Sequence, residues 1–281
     1  MKKRMPTWLL FEPIARAQML DCGPPSRPAP SHPTLMPTWI IGDIHGCSDE
    51  LAELIGKLDL GEDDTLVSVG DLFHRGPNPI GVMDLFREAG GVFILGNHEL
   101  RVLERFRLAP RNTDCSDRPA FCEEFRDLEP DDLAGDGQRP VDALPERRGD
   151  VLRFLQGHAG FFLEDTALDR AGPTPDGRPW CAVHAGLVPG KHPAMCSVEE
   201  LVSVRRLPGR GRPYWYEVYS GPNLILFGHT PSKVPRARRV AGKLVALGLD
   251  TGCVYGGKLT AYSPELDEFV QVDARASYAK S

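Results

Sequence analysis

The sequence predicts an α/β fold whose ligand site lies along the carboxyl ends of its strands. Short apolar runs alternate with segments of helical period, and five of the runs end in glycine-flanked polar motifs. Those motifs carry Asp, Asn and His, and in open α/β sheets the groove beyond the strand ends is where ligands bind.

The first such unit is Trp39-Ile40-Ile41, followed by GDIHG and then by a segment in which Leu51, Leu54, Ile55 and Leu58 recur at helical spacing, with Ser48 as its expected cap. The pattern repeats at residues 65–69 before GDLFHRG, 92–95 before GNHE, 181–183 before HAG and 223–227 before GHT. Between Glu99 and His184 lies a stretch of mixed charge with scattered apolar residues, among them Leu103, Phe106, Phe121, Phe125, Val151, Leu152 and Leu155. It reads as a helical cap insertion over 100–180 with a flexible loop near 129–149.

Residues 1–36 read as a disordered extension, because the prolines of CGPPSRPAPSHPTLMP remove backbone donors and forbid helix. The tetrapeptide MPTW occurs at Met5–Trp8 and again at Met36–Trp39, which makes Met36 a candidate start. The folded domain is expected over 37–275, followed by a short tail at 276–281.

Composition narrows the function. A formal net charge of -6 argues against a broad basic surface for nucleic acid. No run approaches the roughly 18 apolar residues of a membrane span. The interrupted apolar start, with Glu12, Pro13 and Arg16, is not expected to act as a signal peptide. Seven cysteines without a CxxC pair read as reduced thiols, so a cytoplasmic monomer without membrane or nucleic-acid partners is the expectation.

Each motif alone is weak, since a single Asp or Asn beside glycine is most often a turn residue. The ordered set is the signal. Mixed oxygen and imidazole donors at Asp43, His45, Asp71, Asn97, His184 and His229 suit a pair of manganese, iron or zinc ions, with manganese the first expectation. Glycines beside these residues are expected to let the backbone turn tightly and approach an anion.

The motifs GDIHG (42–46), GDLFHRG (70–76), GNHE (96–99), HAGL (184–187) and GHT (228–230), followed by LDTGCVYGGKLTAY (249–262), resemble the calcineurin-like metallophosphoesterases, within them the phosphoprotein phosphatase superfamily. The last stretch resembles the bacterial branch, which includes serine/threonine phosphatases and diadenosine tetraphosphatases. The resemblance spans about residues 39–273. It implies a two-sheet αβ sandwich with flanking helices. It also implies that Asp43 and His45 ligate one metal, that Asn97, His184 and His229 ligate the other, and that Asp71 bridges them. The implied reaction is in-line attack on phosphorus by a metal-bridging hydroxide. Arg75 and Arg205 match phosphate-clamping arginines, with Arg206 a neighbouring competitor. His98 matches the histidine that protonates the leaving oxygen, and Tyr255 a tyrosine lining the phosphate site.

One position departs from the pattern. His74 stands where the family usually has the aspartate that orients the histidine matched by His98, and an imidazole there cannot hold His98 charged as a carboxylate would. Some relatives that hydrolyse dinucleoside polyphosphates also lack this aspartate, and anhydride leaving groups need less protonation. The sequence thus leads to a serine/threonine phosphatase-like phosphomonoesterase. The alternatives are a symmetrical diadenosine tetraphosphate hydrolase and, of another class, a non-catalytic phosphate-binding module.

Overall fold

The computed structural model describes residues 36–106, 108, 147–168 and 171–280. The N-terminal extension, the candidate start context before Met36, Phe121 and Phe125, and most of the expected loop at 129–149 lie outside the described residues.

Two five-stranded mixed sheets carry the fold. One runs in the order β10 (Glu268–Asp273), β9 (Lys258–Ser263), β1 (Thr38–Ile41), β2 (Thr65–Ser68), β3 (Val92–Phe93). The other runs β4 (Phe162–Glu164), β5 (Trp180–Val183), β6 (Leu224–Phe227), β8 (Lys243–Gly248), β7 (Arg236–Val240). The central strands β1, β2 and β3 are parallel, as are β5, β6 and β8, and antiparallel strands close the edges.

Side-chain alternation builds the layers. Successive residues of a strand face opposite sides, so Trp39 and Ile41 pack under the helices while Ile40 faces the second sheet. In β6, Leu224 and Leu226 face the first sheet, and Ile225 and Phe227 pack outward against Leu201 and Trp215. The helices α1 (Ser48–Leu58), α2 (Pro79–Glu88), α3 (Asn97–Arg105) and α4 (Arg148–Leu155) cover the first sheet. The short helices α5 (Val198–Ser203) and α6 (Trp215–Val218) cover the second. The result is the αβ sandwich expected from the sequence.

Three details differ from the sequence expectations. The helix α1 is entered from Cys47, with no side-chain cap bond, and Ser48 is its first, buried residue. Of the stretch expected as a cap over 100–180, residues 147–168 are built into the core. Val151 and Leu155 join the helix-covered core, and Leu163 of β4 is buried between the sheets as that strand pairs with β5. Burying those apolar side chains requires the chain to return to the sheet before β5. The expected tail is docked: the Tyr278 amide donates to Val254 O (2.9 Å) and its hydroxyl to Glu50 Oε1 (2.8 Å). Among the described residues, no helix is long and apolar enough to cross a membrane.

Candidate metal centre and active site

The carboxyl ends of the six parallel strands meet at one rim. Asp43 follows β1, Asp71 follows β2, Asn97 and His98 open α3 after β3, and His184, His229 and Asp250 follow β5, β6 and β8. Backbone and carboxylate bonds tie the strand-end loops to one another. The His229 amide donates to both Asp43 carboxylate oxygens (3.0 Å each), Gly228 N donates to His184 O (2.8 Å), and His184 Nδ1 lies 2.9 Å from Val69 O.

Asp71 stands at the centre. Its Oδ2 lies 3.7 Å from His45 Nε2 and 3.8 Å from His98 Nε2, and its Oδ1 lies 3.5 Å from His184 Nε2. Asp43 Oδ2 is 3.9 Å from His45 Nε2, and His184 Nε2 is 3.1 Å from Asn97 Oδ1. Two groups of ligand-type atoms share Asp71: His45, Asp71 and His98, and Asp71, His184 and His229. The side chains therefore place His98 as near to Asp71 as His45 is.

The backbone at these residues is unusual. His45 (φ 49°), Asp71 (φ 54°), Arg75 (φ 79°) and His229 (φ 63°) all occupy the left-handed region, which costs a non-glycine residue about 1–3 kcal/mol and persists only where surrounding structure enforces it. The sequence expectation was that glycines would make these turns. Gly70 does turn (φ 101°), but Gly228 serves close approach: a Cβ there would lie 2.0 Å from Asp43 Oδ1.

The site is buried and rich in carboxylates, and two of its imidazoles, His45 and His229, are held below their ordinary range. Burial pushes His45 down to about 3, with Asp71 opposing, and pushes His229 down to about 2, assisted by His184. Burial and the neighbouring Asp250 and Asp71 hold Asp43 well above the usual carboxylate range. Burial would raise Asp71 as well, but the imidazoles of His184, His98, His45 and His229 outweigh it and hold Asp71 low.

These residues fit a pair of divalent ions. Imidazole nitrogens face carboxylate and amide oxygens, a mixed donor set that divalent ions accept. Arg75 Nη1 lies 3.1 Å from His45 Nε2, so that nitrogen accepts and the proton sits on Nδ1, which is buried without a hydrogen-bond partner among the described residues.

The remaining sequence-selected residues ring this centre. The His74 and His98 rings lie 4.5 Å apart. Arg205 Nη2 donates to His229 O (2.9 Å), whereas Arg206 lies 3.8 Å over the Tyr214 ring and is engaged there. The Arg75 guanidinium is 5.9 Å from the Tyr255 ring.

Two buried acids had no role in the sequence reading. Glu99 accepts hydrogen bonds from the amides of Asp71 (2.8 Å), Leu72 (2.9 Å) and Gly96 (3.1 Å), locking the loop after β2 to the start of α3. Asp250 accepts from Gly252 N (3.0 Å), and burial pushes it up to about 6. Both stand inside quoted motifs, GNHE and LDTG, and the signal available was their position at a strand end.

This rim of carboxylates, amide and imidazoles defines a metal-dependent phosphoester hydrolase. The chain belongs to the calcineurin-like phosphoesterase family, whose pattern matches residues 36–233. An asymmetrical bis(5'-nucleosyl)-tetraphosphatase, PrpE, of Bacillus velezensis is 29% identical over 267 residues, spanning 86% of this chain and 94% of that protein. Its counterpart from Halalkalibacterium halodurans is 30% identical over 268 residues, spanning 84% and 93%. A symmetrical bis(5'-nucleosyl)-tetraphosphatase of Yersinia enterocolitica is 41% identical over 80 residues, 27% of each chain. Among solved structures, one described as a candidate diadenosine tetraphosphatase shares the fold with a TM-score of 0.60 at 24% identity, covering 86% of this chain and 95% of that one.

Proposed function

We propose that the chain hydrolyses dinucleoside polyphosphates, cleaving them asymmetrically. The observation that carries the choice of a phosphoanhydride substrate is the His74–His98 pair, with ring centroids 4.5 Å apart, where a protein phosphatase would place a carboxylate beside its proton donor. An imidazole neighbour does not stabilise a charged His98, so the site suits leaving groups that depart with little protonation, as phosphoanhydrides do. The near full-length relatives, named asymmetrical tetraphosphatases, support the same choice over the serine/threonine phosphatase reading. The symmetrical alternative has support over only 80 residues.

Each residue has a part in this reading. Asp43 and His45 would hold one ion and Asn97, His184 and His229 the other, with Asp71 shared by both groups. When bound, a divalent pair neutralises phosphoryl oxygens and activates water for in-line attack. Arg75 leaves His45 to grip the transferred phosphoryl group, and Arg205, anchored on His229 O, grips it from the opposite rim. Tyr255 packs beside Arg75, and His98 delivers a proton to the leaving oxygen.

Manganese-loaded protein incubated with diadenosine tetraphosphate, and separately with a phosphothreonine peptide, tests the proposal when nucleotide products and free phosphate are resolved. ATP and AMP in equal amounts, lost in Asp71→Asn, are expected. Two ADP would transfer the chain to the symmetrical class, and faster release from the peptide would restore the protein phosphatase reading. Inactivity toward both, with metal bound, would leave a phosphate-binding module.

A further inference from the structure

Outside the dinuclear rim, the loop after β1 and the loop after β8 bring two thiols and a carboxylate together in the core. Cys47, Cys253 and Glu50 are 0%, 1% and 0% exposed, and their ligand atoms all lie within 4.8 Å of one another. Both cysteines are free thiols, and the Cys47 thiol donates to His45 O (3.8 Å).

Glu50 supplies an independent observation. Its Oε1 accepts from Arg275 N (2.9 Å) and from the Tyr278 hydroxyl (2.8 Å), which fixes the carboxylate in place. Its Oε2 is buried and has no hydrogen-bond partner among the described residues. A bare carboxylate oxygen in a dry core is costly, and a protein that retains one beside two thiols has a ready ligand.

We propose that Cys47, Cys253 and Glu50 form a site for a thiophilic divalent cation of the zinc class, separate from the dinuclear centre. Two sulfurs and one oxygen are a soft donor set that selects zinc, cobalt or cadmium over magnesium and manganese. Bond lengths of about 2.3 Å to sulfur and roughly 2.0–2.2 Å to oxygen separate tetrahedral ligand atoms by less than about 4 Å, which the observed spacing allows with small side-chain adjustments. Binding expels both thiol protons to solvent and leaves two thiolates on the ion. Tyr278 and the Arg275 amide act as the outer partners that orient the ligating carboxylate.

The placement gives the ion a structural task. Cys47 lies two residues beyond His45, Cys253 three residues beyond Asp250, and Glu50 on α1. Val254 O accepts from the amides of Tyr278 and Ala279, so the C-terminal segment passes directly beside the trio. One ion would pin both active-site loops and that segment to the same point.

Sulfur makes the test selective, because the dinuclear rim offers only oxygen and nitrogen donors. Cobalt is added to the full-length, reduced protein and thiolate-to-cobalt charge-transfer absorption is recorded in the near ultraviolet. The band is expected in wild type and in Asp71→Asn, and is expected to vanish in Cys47→Ser and Cys253→Ser. Elemental analysis after zinc loading should find one ion fewer per chain in the serine variants than in wild type. Should these variants fail to fold, Glu50→Gln keeps both thiols and is expected to weaken zinc binding roughly tenfold or more. Folded wild type without the band, a band that survives both serine substitutions, or zinc affinity unchanged in Glu50→Gln would each overturn the proposal.

Discussion

His184 Nε2 lies 3.1 Å from Asn97 Oδ1 while the Nδ1 of the same ring faces Val69 O at 2.9 Å. A carbonyl only accepts, so Nδ1 carries the proton, and in the neutral ring Nε2 turns its lone pair toward two oxygens, those of Asn97 and Asp71. Three electron-pair donors face one point, and a cation there would resolve their repulsion.

Asn97→Ala should therefore weaken the binding of one of two metal ions by at least about tenfold, near 1.4 kcal/mol, while the other binds as before. Calorimetric titration of the metal-stripped protein would show this as separation of two binding events. Retention of two unchanged events would remove Asn97 from the ligand set. Chelation of both ions should abolish hydrolysis, and manganese should restore it.

His74 provides a second prediction. His74→Asp places a carboxylate against His98 and should raise turnover on alkyl phosphates, which need a protonated leaving oxygen, more than on nitrophenyl phosphate. Steady-state rates on the two substrates give the comparison, and equal effects on both would show that His74 does not act through His98.

At Gly228 the constraint is steric. An added methyl would press on Asp43 Oδ1 at 2.0 Å and on Val69 Cγ2 at 2.8 Å, in a rim with no slack. Gly228→Ala is expected to cost about 1–3 kcal/mol in stability and to displace Asp43 from its ion. Thermal melts together with metal counts per chain check both effects, and a fully loaded, wild-type-stable variant would contradict the packing argument.

Glu104, on the last turn of α3, predicts a pH dependence of stability. Burial pushes its carboxyl up to about 7, opposed by Arg101 and assisted by Glu199. Unfolded, a glutamate ionises near about 4.3, so the folded state holds the proton more tightly. This contribution is fully present below about pH 4 and is lost as pH rises through about 7. Glu104→Gln, which stays neutral, should gain melting temperature relative to wild type between pH 5 and 8 and show no gain at pH 4. A constant difference across that range would refute the assignment.

Much of the site could be read from the chain alone because its chemistry is local. Asp43 and His45 are two residues apart, Asn97 and His98 are adjacent, and each group follows an apolar run that can only be a buried strand. Strand periodicity and ligand-type side chains are properties of a few consecutive residues, so the αβ class was legible without coordinates and candidate ligands could be named from the motifs.

Tertiary structure decided what depends on residues far apart in the sequence. Arg205 and Arg206 are indistinguishable as neighbours in ELVSVRRL, and only packing turns the first onto His229 O and stacks the second on Tyr214. Glu99 and Asp250 looked like ordinary acids until burial removed their water, and residues 147–168 looked like a cap until Leu163 was seen between the sheets. Cys47 and Cys253 are 206 residues apart by their numbering. Their meeting is a consequence of β1 and β8 ending at one rim, a contact that no local pattern encodes because its energy comes from closing the two sheets over a common core.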